Sequence, residues 1–140
     1  MYSSHNEKPF REFKSPHSVK TTLDRLELLL ARRPGIVRFF RIDQQATAAI
    51  SGKKINPVES MFFQNNQING LLLSRNIRLA ESLPVKAMCY EDDDGHVWLQ
   101  ITNPLYLDSE YKLDGADGLI HTIDTLIVSW ARDIATDDKL

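Results

Sequence analysis

The side chains able to do chemistry in this 140-residue chain are few and scattered. Histidines stand at His5, His17, His96 and His121 without paired ligand spacing, and the single cysteine, Cys89, can neither close an internal disulfide nor hold a structural zinc alone. With no base beside it in sequence, Cys89 reads as a small buried hydrophobe rather than a nucleophile. Glu91-Asp92-Asp93-Asp94 offers carboxylate oxygens to a divalent cation. Adjacent residues at a turn do not converge on one ion, however, and the calcium-loop spacing is absent. The six glycines are isolated, so neither a phosphate-cradling loop nor a nucleophile elbow is present. No metal site and no cofactor is expected, and a non-catalytic domain is favoured over an enzyme.

Lys86 is the exception. It lies in a β-rich run, 85–91, that faces a second run, 96–102, across Asp92-Asp93-Asp94-Gly95. A two-residue or a four-residue loop there gives the same facing. Lys86, Met88 and Tyr90 then share the core side with Val97, Leu99 and Ile101, while Val85, Ala87 and Cys89 share the outer side with Trp98, Gln100 and Thr102. A cation in a core-facing row must snorkel, pair or line a cavity. The two-residue register places Lys86 beside Asn103. Asn65 belongs to the polar loop 64–67 ahead of a helix, where free backbone N–H groups can hold an anion. Lys86, Asn65 and Asn103 are therefore the candidate binding site for a small anionic ligand at one end of the sheet. The bland reading is that they only tie the loop to the sheet.

Around these residues the elements follow from periodicity and caps. Ser18 precedes a stripe of Val19, Leu23, Leu26, Leu29 and Leu30, closed by Arg32, Arg33 and Pro34-Gly35. Residues 36–42 read as a strand, Asp43 caps a helix over 44–51, and 58–63 is the next strand. A helical stretch over 69–75 precedes the hairpin, and a short helix over 105–111 follows it. The last helix, 119–134, has the strongest apolar stripe: Ile120, Ile123, Ile127, Trp130 and Ile134. The expected fold is an α+β two-layer sandwich, with one mixed sheet of about five strands covered by helices and a C-terminal amphipathic helix. Residues 1–13 read as a mobile tail, 14–135 as one domain and 136–140 as a short acidic tail, although 10–14 also carry a strand signal.

Composition fits this frame. Hydrophobic residues are 42% and charged residues 26%, which excludes disordered and fibrous classes. No apolar run is long enough to span a bilayer and residues 1–10 lack a signal core, so a cytoplasmic protein without membrane partners is expected. Residues 1–42 carry a net charge of +5 and residues 43–140 one of −7, an asymmetry that suits association of two copies. Arg38 and Arg41 flank Phe39 and Phe40, but the basic residues are spread over several elements, which argues against nucleic-acid binding.

Over residues 14–113 the chain resembles the domain-of-unknown-function 302 family. The shared pieces are Ser18 with Thr22 opening a helix, Asp43 through Gly52, and Asn56-Pro57-Val58-Glu59-Ser60-Met61-Phe62-Phe63. Leu83-Pro84-Val85-Lys86, Tyr90-Glu91-Asp92, Gly95-His96-Val97-Trp98 and Asn103-Pro104-Leu105-Tyr106-Leu107 complete them. Where the family usually shows Phe-Gly-Asn-Pro, this chain has Phe63-Gln64-Asn65-Asn66. Gly70 is retained, and Leu71 replaces the threonine expected after it. If that loop binds a ligand in relatives, this chain takes a different one or none. The resemblance implies a compact α+β domain, often a homodimer, and no established reaction. The leading expectation is a non-catalytic ligand- or protein-binding domain acting as a homodimer. The alternatives are an enzyme using Lys86 in a polar pocket and a structural or stress-related interaction protein.

Overall fold

The computed structural model describes residues 7–136. The elements run β1 (Phe10–Ser15), α1 (Val19–Ala31), β2 (Ile36–Asp43), α2 (Gln44–Ile50), β3 (Val58–Asn65), α3 (Asn66–Arg75), β4 (Val85–Glu91), β5 (Val97–Thr102), α4 (Pro104–Tyr111) and α5 (Leu119–Thr136). Short 3-10 turns at Ile77–Ser82 and Asp114–Gly118 join α3 to β4 and α4 to α5.

The expected caps form. The Ser18 hydroxyl accepts from the Thr21 N–H, and the Asp43 carboxylate accepts from the Ala46 N–H, so each satisfies a donor that the first helical turn leaves free. Helix α1 ends at Ala31 with Arg32 as its C-cap, two residues earlier than the basic pair suggested. Arg33 therefore falls in the turn that leads into β2.

The five strands lie in the order β1-β5-β4-β3-β2, and every neighbouring pair is antiparallel, so the expected mixed sheet is corrected to an antiparallel one. Alternating helices and strands suggested crossovers, but α2 is only seven residues long, and after it β3 returns directly beside β2. The expected tail is corrected as well. Phe10–Ser15 pairs with β5 along its whole length and forms one edge of the sheet. Residues 1–6 of that tail and 137–140 of the acidic tail lie outside the described residues.

Helices α1 and α5 pack on one face of the sheet. Leu23, Leu26 and Leu30 from α1 and Ile127, Trp130 and Ile134 from α5 meet Met61, Ala87, Cys89, Leu99 and Ile101 in the main core. A second cluster gathers Leu72, Leu79, Leu107, Leu113 and Ile120 beyond one end of the sheet. Ile123 of α5 touches both clusters. The opposite sheet face stays half-exposed, with Phe62, Met88, Tyr90 and Trp98 on it. No helix of the described residues is long and apolar enough to cross a membrane.

Candidate functional site

The hairpin decides where Lys86 goes. Asp92 donates its N–H to the His96 carbonyl at 2.8 Å, which closes a three-residue loop, Asp93-Asp94-Gly95, with Gly95 at φ 83°. This is the hairpin class in which a turn is followed by a left-handed glycine. Ala87 then faces Ile101 and Cys89 faces Leu99, one residue away from either register expected from sequence. A one-residue slip moves a whole strand's side chains to the other face. Val85, Ala87 and Cys89 therefore take the core side, while Lys86, Met88 and Tyr90 point to the half-exposed face. The β5 assignment stands, with Val97, Leu99 and Ile101 buried. Asp92 locks the loop: Oδ1 accepts from the Asp94 and His96 N–H groups and Oδ2 from the Trp98 indole at 2.9 Å. The Trp98 and His96 bonds hold its carboxyl below the usual range.

The three candidate site residues separate. Lys86 Nζ lies 5.9 Å from the centre of the Phe62 ring, in a groove shared with Phe10, Thr102 and Tyr106. Asn103 is buried and caps α4: its Oδ1 accepts from the Leu105 N–H, and its Nδ2 donates to the Lys8 carbonyl, tying down the N-terminal segment. Asn65 caps α3, its Oδ1 accepting from the Gln67 and Ile68 N–H groups at 3.1 Å. Of the three, Asn65 alone lines an apolar cavity between the helices and the sheet, and Lys86 lines a separate groove.

That cavity, of about 280 Å³, lies where the two apolar clusters meet. Phe63, Leu72, Leu107, Ile120, Ile127 and Trp130 form its buried walls. Gln64, Asn65 and Asn69 bring amides to one side, and Arg33 and Pro34 of the turn before β2 stand at the solvent edge. The amides are ordered by one another, since Asn69 Nδ2 donates to Gln64 Oε1 at 2.9 Å and Gln64 Nε2 donates to Asn66 Oδ1 at 2.8 Å. Among the described residues the lining contains no Asp, Glu, His, Cys, Lys or Tyr. It can enclose an apolar molecule and orient its polar end, but it offers no group to move a proton near neutral pH.

The remaining reactive side chains are held elsewhere. Cys89 is fully buried, and burial pushes its thiol up to about 12 against a smaller opposing pull from a Thr22 hydrogen bond. A thiol held protonated is a poor nucleophile. Iodoacetamide at mildly alkaline pH is expected to leave Cys89 unmodified in the native protein and to alkylate it in denaturant, as read by intact mass. Rapid native labelling would place the thiol in an open site. Arg38 and Arg41, which flank the phenylalanines, both turn toward α1. A bulge between Arg38 and Phe40 puts them on the same side, and they pair with Glu27 and with Asp24, Glu27 and Glu59 respectively. Among the described residues no three His, Cys, Asp or Glu side chains gather as a cation site.

Residues 11–129 match the family described as Domain of unknown function DUF302. The chain belongs to the DUF302 family. The crystal structure of the uncharacterized conserved protein DUF302 from Bacillus stearothermophilus superposes with a TM-score of 0.77 at 16% identity, over 92% of this chain and 99% of that one, and so shares the fold. Among curated proteins, the fluoride-specific ion channel FluC 1 of Brucella suis biovar 1 (strain 1330) is 32% identical over 99 residues, 71% of this chain and 39% of that protein. FluC 1 of Brucella abortus biovar 1 (strain 9-941) matches equally over 36% of its length. This chain thus spans less than two-fifths of either. Within the DUF302 pattern, the departure at Gln64 and Asn65 falls on the cavity wall, whereas the exposed Leu71 does not line the cavity.

Sequence reasoning found the loop 64–67 but missed Arg33 and Trp130. Arg33 reads as a helix-ending cation, and Trp130 as one more member of the α5 stripe. Only the meeting of residues distant in sequence turns them into neighbours, with the Arg33 guanidinium 5.9 Å from the Trp130 ring centre.

Proposed function

We propose that this DUF302 domain binds a small, largely apolar organic molecule in the cavity at the junction of its two cores and does not transform it. One observation carries the reading: a cavity of about 280 Å³ with buried apolar walls and, among the described residues, no Asp, Glu, His, Cys, Lys or Tyr on its lining. An apolar hole is worth keeping when a ligand fills it, because an empty one costs packing contacts along its whole lining. In the longer Brucella relatives, a segment of this kind would be a companion binding domain; the channel activity in their name belongs to the whole proteins.

The test is a titration of the full chain with the uncharged dye 1-naphthylamine, whose size matches the cavity. Fluorescence is expected to rise and saturate at one dye per chain, with a matching rise in melting temperature. Ile123→Trp, which projects a larger ring from a half-buried wall position, is expected to abolish saturation while the circular dichroism spectrum is retained. Absence of saturable binding to the unmutated chain would remove the reading.

A homodimer is the second element of the proposal, and the half-exposed sheet face supports it. Phe40, half exposed, stacks on Phe62 with ring centres 4.7 Å apart, and Met88, Tyr90 and Trp98 extend the same surface. Closed two-fold pairing is the commonest way to cover such a face. Light scattering is expected to give twice the chain mass, and Phe40→Asp to return the monomer value. A monomeric mass for the unmutated chain would rule the dimer out.

A further inference from the structure

We propose that the cavity selects a carboxylic acid, with the carboxylate held at Arg33 and an apolar body of roughly ten heavy atoms inserted between α3, α4 and α5; this rests on the binding reading above. The size follows from the volume. A cavity near 150 Å³ holds benzene, and this one measures about 280 Å³.

The polarity of the lining is graded. Phe63, Leu72, Leu107 and Ile127 are buried walls, and the charged and amide groups stand at one end. A ligand that fits must therefore be apolar along its length and polar at one tip. Among the described residues Arg33 is the only cation on the lining. It is exposed and makes no ion pair among the described residues, unlike Arg38 and Arg41 on the neighbouring strand. Its planar fork of donors matches a carboxylate in both charge and geometry.

Two further features favour an acceptor-rich tip. Trp130, 6% exposed, forms a wall of the cavity, and its Nε1–H has no acceptor among the described residues. A buried donor left unpaired costs free energy that a ligand oxygen would recover. The ten-residue helix α3 also begins at the cavity, with its cap Asn65 and its first-turn Ile68 both on the lining, so the positive end of its dipole lies at the same tip. One guanidinium balances one carboxylate, whereas a phosphate dianion would keep a charge without a partner at the mouth. That favours a carboxylic acid over a phosphate ester.

The experiment is competition against 1-naphthylamine on the full chain with octanoate, 1-octanol and octyl phosphate. These differ chiefly at the tip, octanoate carrying one apolar carbon fewer than the other two, which works against the order expected. Octanoate is expected to displace the dye at a concentration roughly tenfold below that of octanol, consistent with one charge-assisted contact, and below that of octyl phosphate. Arg33→Met is expected to remove the advantage over octanol while dye and octanol affinities hold, and Arg33→Lys to restore part of it. Equal potency of octanoate and octanol, or an Arg33→Met chain that still prefers octanoate, would overturn the carboxylate assignment and leave the cavity reading intact. Preference for octyl phosphate over octanoate would overturn it too. Failure of the unmutated chain to bind the dye at all would instead remove the cavity reading on which this rests.

Discussion

Leu99→Ala is expected to lower the unfolding free energy by about 2–5 kcal/mol, the range for emptying a fully packed leucine site. Leu99 is 2% exposed, sits opposite Cys89 across the β4–β5 ladder, and belongs to the core beneath α1 and α5. Met88, one residue before Cys89, points to the other face and is half-exposed. Met88→Ala therefore creates no enclosed void, and its cost should stay near or below about 1 kcal/mol. Urea unfolding reads both values, as a fall in midpoint at unchanged slope. The pair tests the three-residue hairpin loop. Had a two- or four-residue loop formed, Met88 would share the core face with Leu99 and both substitutions would be severe. A Met88→Ala loss equal to that of Leu99→Ala would return the hairpin to the other register.

The hairpin shows where the sequence stops being legible. The strands themselves are marked by alternation and by the Asp-Gly turn, and their limits fall within a residue of expectation. The loop length is not marked, because Asp92-Asp93-Asp94-Gly95 suits two-, three- and four-residue loops alike. What decides it is the Asp92 carboxylate, which gathers the N–H groups of Asp94 and His96 and the indole of Trp98. The Trp98 bond spans six residues and is invisible to a reading of local turns. One undecided residue of loop then carried Lys86 from the core face to the open one. Caps were legible for the opposite reason. Ser18 and Asp43 act on N–H groups within three residues of themselves, so their surroundings in sequence are their surroundings in space.

The cavity lies at the far end of that scale. Its walls come from the α1–β2 turn, the β3–α3 junction and α4, and from α5 some sixty residues further on than Asn65. No single stretch carries a pattern for it. Asn65 was selected as a polar group at an end of the sheet, and it lines the cavity without Lys86 or Asn103 beside it. Asn103 was selected for its place at the hairpin end, and it proves to be a helix cap that anchors the segment before β1. Arg33, not Lys86, is the cation that lines the cavity, and it stands in the turn after α1, which ends at Ala31, two residues short of it.

Arg41→Met is expected to cost about 2–3 kcal/mol at neutral pH and almost nothing in acid. Arg41, whose side chain is 22% exposed, donates to Asp24 at 2.7 Å, to Glu27 at 3.0 Å and to Glu59 at 2.9 and 3.1 Å. Removing it leaves three carboxylates facing one another, and a partly buried charge that loses its partner is costly. The figure lies below that for a fully buried pair because Asp24 and Glu27 are partly exposed, and water screens them. The pH dependence follows from Asp24. Partial burial works against its charge, but hydrogen bonds from Lys20 and Arg41 prevail and hold its carboxyl below 3.8. A depressed carboxyl contributes stability above its unfolded value, and that contribution is lost as the pH falls through the folded one. Without Arg41 one of the bonds that hold the Asp24 carboxyl low is gone, so acid takes less stability from the variant than from the unmutated protein. The two unfolding free energies are therefore expected to converge below the ordinary carboxylate range, and concentrated salt should recover part of the deficit at neutral pH. A deficit that stays constant from neutral pH into acid would show that Arg41 acts by packing its stem and not by pairing.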